Sequence, residues 1–284
     1  RVPMLRLRIF TAVALLAVLL PAVFYPHPAA FAVVAGVLMA CGAWEWFRLN
    51  QSSDSGALAA GVACAAVCFL FWSFPLPAKA MSVIWSFSAL AWVVGGGILL
   101  KAGVPAWSLI PSALRQLLGF VLLCFAWLAV VKARALGINF LFSAMALVWV
   151  ADIAAYFAGR RFGGRFFSDK LAPGISPGKT REGAIGGLIG VVLLAFGWCM
   201  ADQHFLMDSK SIFSILAERH WLFMLLGAIF LGLMSICGDL LESLVKRSAG
   251  AKDSSQLLPG HGGVLDRVDA LLPVIPRAML LQAF

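Results

Sequence analysis

Residues 221–269 read WLFMLLGAIFLGLMSICGDLLESLVKRSAGAKDSSQLLPGHGGVLDRVD, an apolar run that passes without a break into the most charged stretch of the chain. Trp221–Leu241 has the roughly 20-residue apolar length that lets a helix cross a hydrocarbon layer. Ser243–Asp269 then gathers Lys246, Arg247, Lys252 and Arg267 with Asp253, Asp266, Asp269 and His261. The four cations suit a polyanion. The aspartates would repel that polyanion unless a cation stood between, so the combination points to phosphate plus metal. Pro259-Gly260 and Gly262-Gly263 bracket His261 in a turn whose small residues let backbone N–H groups approach a ligand. Asp266 and Asp269 share one face if the chain is helical there.

Working outward, 62% of the 284 residues are hydrophobic and only 12% charged, against roughly 25% charged in a soluble domain. The fold class is therefore all-α and polytopic: helices cross the membrane, and the ten-residue alternation of a barrel is absent. Positive-inside loading and anionic headgroups account for the net charge of +9 better than nucleic acid does. The six cysteines lie in apolar segments and read as small core residues; Cys64 and Cys68 stand at i, i+4 without a third ligand nearby. No cleavage site follows the basic start, which predicts a retained first helix. Opening on Arg1 and ending in an apolar run, the chain reads as trimmed at its termini.

Nine apolar segments are predicted, at about Ile9–Tyr25, Ala29–Phe47, Ala57–Phe74, Met81–Leu100, Leu114–Val131, Ile138–Gly159, Ala184–Ala201, Trp221–Leu241 and Val264–Phe284. A cytoplasmic N-terminus puts sixteen of the 22 Lys and Arg inside, and six outside: Lys79, Lys132, Arg134, Lys210, Arg219 and Arg277. Lys132 and Arg134 are the dissenters. Residues 1–136 divide off as N-terminal transmembrane helices, and 137–284 as the region that carries chemistry, with cytoplasmic loops 160–183 and 242–263. In the first part Glu45, between Trp44 and Trp46, is read as an acid that snorkels to the interface, and Trp72, Trp85, Trp92 and Trp107 as belt or packing residues. Gly95-Gly96-Gly97 permits close packing or a kink. No internal repeat argues for a transporter of inverted halves.

In the second part Asp152 sits mid-helix, where a carboxylate is tolerated only beside a partner or a polar cavity. Next comes GRRFGGRFFSDKLAPGISPGKTREGAIGG, residues 159–187, with Arg160, Arg161, Arg165, Lys170, Lys179 and Arg181 for phosphate, plus the turn at Ser176. It is not a P-loop, because Pro173 occupies a required glycine position and no strand precedes it. Gly183, Gly186, Gly187 and Gly190 form a small-residue stripe for helix packing. Asp239 and Glu242 lie one turn apart before the signature, so Asp239, Asp266 and Asp269 are expected to converge on a hard cation, Mg2+.

The run S-x-x-K-R-x4-K-D-x-S-x2-L-P-x-H-G-G-x-x-D-R-x-D, from Ser243 to Asp269, resembles the signature of the phosphatidate cytidylyltransferases, the CDP-diacylglycerol synthases. Every defining position is filled. Ala151-Asp152 with Tyr156, and the LAP-x-x-SPGKT-x-E-G run, resemble the same family. The resemblance implies cytidylyl transfer from CTP to phosphatidate with release of pyrophosphate, in phospholipid biosynthesis at the inner (cytoplasmic) membrane, by a multi-pass homodimer. It also implies a metal site at Asp239, Asp266 and Asp269. Lys246, Arg247, Lys252, Asp253, His261 and Arg267 are then candidate catalytic residues; Asp253 orients Lys252 or meets the cytosine, and His261 is otherwise an ordinary turn histidine. Ser176, Lys179, Arg181, Asp152 and Ser243 are candidates for substrate binding. Two other readings are a CDP-alcohol phosphotransferase, whose D-G-x2-A-R pattern is missing, and a transporter of anionic solutes with Asp152 and Glu45 on its path. A second cation alongside Mg2+ is left open.

Overall fold

Inside hydrocarbon every backbone polar group must be paired within the chain, so the apolar runs become helices. The computed structural model describes residues 4–283, with side chains from Arg6. In order come α1 (Met4–Phe24), α2 (Ala29–Leu49), α3 (Asp54–Ser73), α4 (Ala78–Leu90), α5 (Gly96–Ala102), α6 (Val104–Leu109), α7 (Ser112–Leu136), α8 (Ile138–Phe162), β1 (Lys170–Ala172), β2 (Ser176–Thr180), α9 (Arg181–His204), α10 (Ile212–Arg219), α11 (Trp221–Ser248), α12 (Leu265–Val268) and α13 (Leu271–Ala283). A π-helical turn, Ala91–Gly95, joins α4 to α5 as one span. It brings Gly96 against α11, where a Cβ would stand 2.8 Å from Leu241.

Among the described residues eight helices are long and apolar enough to cross a membrane, where the sequence predicts nine segments. The difference lies at the C-terminal one. Its residues form the single turn α12 and the 13-residue α13. At 1.5 Å per residue α13 spans about 20 Å, short of the roughly 30 Å hydrocarbon core. Residues Leu272–Met279 are all buried, packed among α4, α7 and α11. Arg277, expected outside, is instead fully buried, donating to Pro273 O (2.7 Å) and Ser88 Oγ (3.0 Å). A second departure from the all-helical expectation is small: β1 and β2 pair antiparallel within the basic loop.

The stripe of small residues on α9 is spent inside the chain. A Cβ on Gly186 would meet Ala158 Cβ at 2.2 Å, and one on Gly190 would meet Ala154 Cβ at 2.6 Å. Backbones this close leave the two helices in contact along their length, so the position of α9 follows that of α8. Arg134 has a local explanation as well: its guanidinium donates to Val23 O (2.7 Å) and Tyr25 O (3.1 Å), filling carbonyls at the end of α1. Trp85, Trp92 and Trp107 are buried packing residues, and Trp107 Nε1 donates to Asn50 Oδ1 (3.0 Å).

Candidate functional site

The C-terminal end of α8, the β-hairpin, the start of α9 and the C-terminal half of α11 surround a cavity of about 450 Å3. Small residues, Ala151, Ala155, Gly159 and Gly183, keep its walls thin, and Asp152, Arg160, Lys179 and Asp239 supply its charge. Lys179 reaches it because β2 runs extended into α9, whose start is fixed by Thr180 Oγ1 accepting from Gly183 N (3.1 Å). Opposite, Asp239 projects from α11 and pairs with the Lys179 ammonium. Arg181, at the first position of α9, instead lies 3.6 Å from Asp169 and over the Phe167 ring. Glu182 accepts from Phe166 N and Phe167 N (3.1 Å each) and ties the preceding loop down.

Gly238 is what allows Asp269 to approach. A Cβ there would fall 2.5 Å from Asp269 O and 2.7 Å from Pro273, so α11 and the turn into α13 touch backbone to backbone. Burial, and after it the charge of Asp239, pushes the Asp269 carboxyl up to about 7, with Asp152 adding to the same effect. Three acids therefore feel one another here against Lys179 and, at Asp269, Lys246, an excess of negative charge that an added cation would relieve. Mg2+ takes one or two protein carboxylates beside phosphate oxygens and water, and Asp239 with Asp269 fit that demand. Among the described residues no three His, Cys, Asp or Glu side chains are grouped so as to hold a metal by themselves.

Asp266, expected to share that cation, is placed otherwise. Its Oδ1 accepts from Lys246 Nζ (2.6 Å), and its Oδ2 from Ser254 N (2.9 Å), Ser254 Oγ (2.9 Å) and Gly263 N (2.7 Å). Burial alone would raise its pKa; the Lys246 ammonium and the Gly263 and Ser254 amides outweigh it and hold the carboxyl at about 2. Lys246 is also paired with Glu242, one turn back on α11, and is mostly buried. Lys246 and Asp266, read from the sequence as a phosphate clamp and a metal ligand, thus also knit the signature turn to α11. Gly262, at φ 82°, supplies the left-handed turn that aims these amides, and a Cβ there would stand 2.7 Å from Asp266 Oδ2.

Four of the remaining signature residues face outward. Arg247, Lys252, Asp253 and Arg267 are exposed, and Lys252 and Asp253 line a separate cleft of about 800 Å3 with Trp44, Arg48 and Ser255. Arg267 donates to His261 O (2.8 Å), while His261 Nδ1 is buried without a partner. Ser176 and Ser243 are half-buried on β2 and α11. The expectation for Glu45 is overturned. It does not snorkel: it is fully buried and accepts from Ser254 Oγ (3.0 Å), Ser255 Oγ (2.6 Å), Val264 N (2.8 Å) and Leu265 N (2.7 Å). The signal was present as a lone acid in an apolar helix, but its partners lie more than 200 residues away.

Comparison with known proteins places this geometry in context. The profile of the cytidylyltransferase family matches residues 6–284. A phosphatidate cytidylyltransferase of Pseudomonas aeruginosa is 38% identical over 277 residues, 96% of this chain and 95% of that protein. One of Haemophilus influenzae is 34% identical over 293 residues, 96% of each. One of Brucella suis is 48% identical over 139 residues, covering 49% of this chain and 44% of its own length.

Proposed function

The chain belongs to the phosphatidate cytidylyltransferase family, and from that premise we propose that the cavity between α8 and α11 is where a cytidylyl group passes from CTP to phosphatidate. A phosphate oxygen of the lipid attacks the α-phosphorus, the bond to the β-phosphate oxygen breaks, and CDP-diacylglycerol and pyrophosphate result. The observation that carries this reading is the pairing of Lys179 with Asp239 beside Asp152 and Arg160, in a cavity whose remaining walls are mostly apolar, with Asp269 close enough behind it to feel the charge of Asp239. Anionic reactants need cations and a lipid needs an apolar approach; both are supplied at one place.

Both reactants are anionic, so the chain's work is to offset repulsion and to align the attack. Lys179 and Arg160 line the cavity and meet phosphate oxygens there; Arg181, two residues after Lys179 and turned to Asp169, would have to leave that partner to join them. Asp239 and Asp269 would hold Mg2+, whose chemistry there would be to offset negative charge on the phosphates. The nucleophile is already an anion, so Asp152 and His261 have no proton to remove. Lys252 and Asp253, which line a cleft of their own, are taken to meet the nucleotide. The same reading puts the basic loops on the cytoplasmic face of the inner membrane, which the concentration of Lys and Arg at this end of the bundle supports, and takes the enzyme to be a homodimer.

The test uses purified protein in detergent with Mg2+, phosphatidate and each of the four NTPs, scored for pyrophosphate. Release with CTP is the expected result. Release with none of them, together with solute movement across liposomes, would refute the reading.

A further inference from the structure

We propose that Glu45 is a positioning residue for the proposed reaction, holding the signature turn in register with α11, and that the N-terminal helices are thereby part of the active-site machinery. The inference rests on the site reading above. An ionised carboxylate inside a helical bundle is tolerated only when its lone pairs are filled, and all four donors to Glu45 come from one short stretch, residues 254–265. None comes from its own helix or from water-facing groups elsewhere. An acid kept for the stability of α2 alone has no reason to gather its donors there.

The contact continues toward the chemistry. Ser254 Oγ lies within hydrogen-bond reach of both Glu45 Oε2 (3.0 Å) and Asp266 Oδ2 (2.9 Å), so its one proton is shared between two carboxylates. Asp266 in turn holds Lys246, and Lys246 pairs with Glu242, three residues from Asp239 on α11. Glu45 therefore sets where the turn between Ser254 and Asp269 sits relative to Asp239. The fit leaves no slack: a Cβ on Gly263 would stand 2.5 Å from Glu45 Oε1 and 2.0 Å from Ser254 Oγ. A second latch comes from α1, where Arg8 Nε donates to Gly260 O (3.0 Å) and Thr11 Oγ1 to Pro259 O (2.9 Å).

Glu45→Gln keeps the shape and turns an amide N–H2 toward donors; Glu45→Asp keeps the acceptors and shortens the reach. With CTP and phosphatidate, Glu45→Gln is expected to lower kcat by about 10- to 100-fold, with KM for CTP within about threefold, because misplacement of roughly 1 Å costs alignment rather than binding. Glu45→Asp is expected to recover about tenfold of that loss. If Glu45→Gln gives no folded protein, Ser255→Ala, which deletes one donor, is expected to lower kcat by roughly threefold. A kcat within twofold of wild type in the folded variants, or a loss that Glu45→Asp does not recover, overturns the proposal. Should wild-type protein release no pyrophosphate from CTP, the proposed activity fails by itself. Amide hydrogen exchange at Val264 and Leu265 then decides for Glu45: faster exchange in Glu45→Gln supports the strap, and unchanged exchange overturns it.

Discussion

Lys179, at the end of the basic hairpin, and Asp239, near the end of α11, form an ion pair across the cavity although 60 residues separate them in sequence. Each is partly exposed, so the pair is open to a ligand that competes for either member. The residues proposed to meet phosphate and cation thus offset each other's charge. Asp239→Asn is expected to lower kcat by about 100-fold or more, and Lys179→Ala by a similar factor, as for other groups that meet developing charge. Since the two residues act on one another, the double variant should lose much less than the product of the single losses. Pyrophosphate release from CTP measures all three, and full turnover in Asp239→Asn would remove this pair from the site.

Asp266 makes a different prediction, because its partners belong to the fold. Its carboxyl is held at about 2 in the folded protein, against a value near 3.9 for an unperturbed aspartate. A lowered value means that its contribution is present above pH 4 and is lost as the pH falls through 2. The difference is on the order of 2 kcal/mol. In detergent, Asp266→Asn should therefore unfold more readily than wild type at pH 7. The gap should narrow between pH 4 and pH 2. A gap independent of pH would show that the charge on Asp266 is not what stabilises the turn.

What could be read from the sequence was what short-range pattern encodes. Hydrophobic runs long enough to span gave the helices; the charge gathered in 159–187 and 243–269 and the lone acid Asp152 marked candidate site residues, of which Asp152, Arg160, Lys179 and Asp239 line one cavity. The C-terminal segment misled because it is mostly apolar from Ala270 onward, whereas Pro273, Pro276 and the burial of Arg277 belong to a short internal helix. Charge content marked Asp266 and Lys246 as candidate ligands but does not reveal that they pair with each other. Glu45 was misread for the same reason: its four donors come from the other end of the chain, and no local periodicity reports a contact of that separation.

The α8–α9 contact bears on the same site. Gly186 and Gly190 face Ala158 and Ala154 so closely that a methyl group on either must push the helices apart. Gly186→Ala is expected to cost about 1–3 kcal/mol as an overpacking change. It should also displace Lys179 from Asp239, because β2 leads directly into α9. Gly197→Ala, on the same helix with nothing within 4 Å of its Cβ, is the matched control and should change neither stability nor turnover. Melting curves with activity at equal folded concentration separate the two. Equal behaviour of both variants would mean that α9 is free to shift.

Removal of divalent cations should separate activity from folding. The turn that carries the signature is held by protein groups alone: Asp266 by Lys246 and three donors from Ser254 and Gly263, and Glu45 by two hydroxyls and two amides. Nothing in that network waits for a metal, in contrast to small domains whose fold depends on one. Chelation by EDTA is therefore expected to abolish pyrophosphate release while leaving the melting temperature within about 2 °C, since a cation at Asp239 and Asp269 lies beside the network and not inside it. Added Mg2+ should restore turnover without a refolding lag. A melting temperature that falls by 10 °C or more on chelation would place the cation within the turn itself, and Asp266 would return as its ligand.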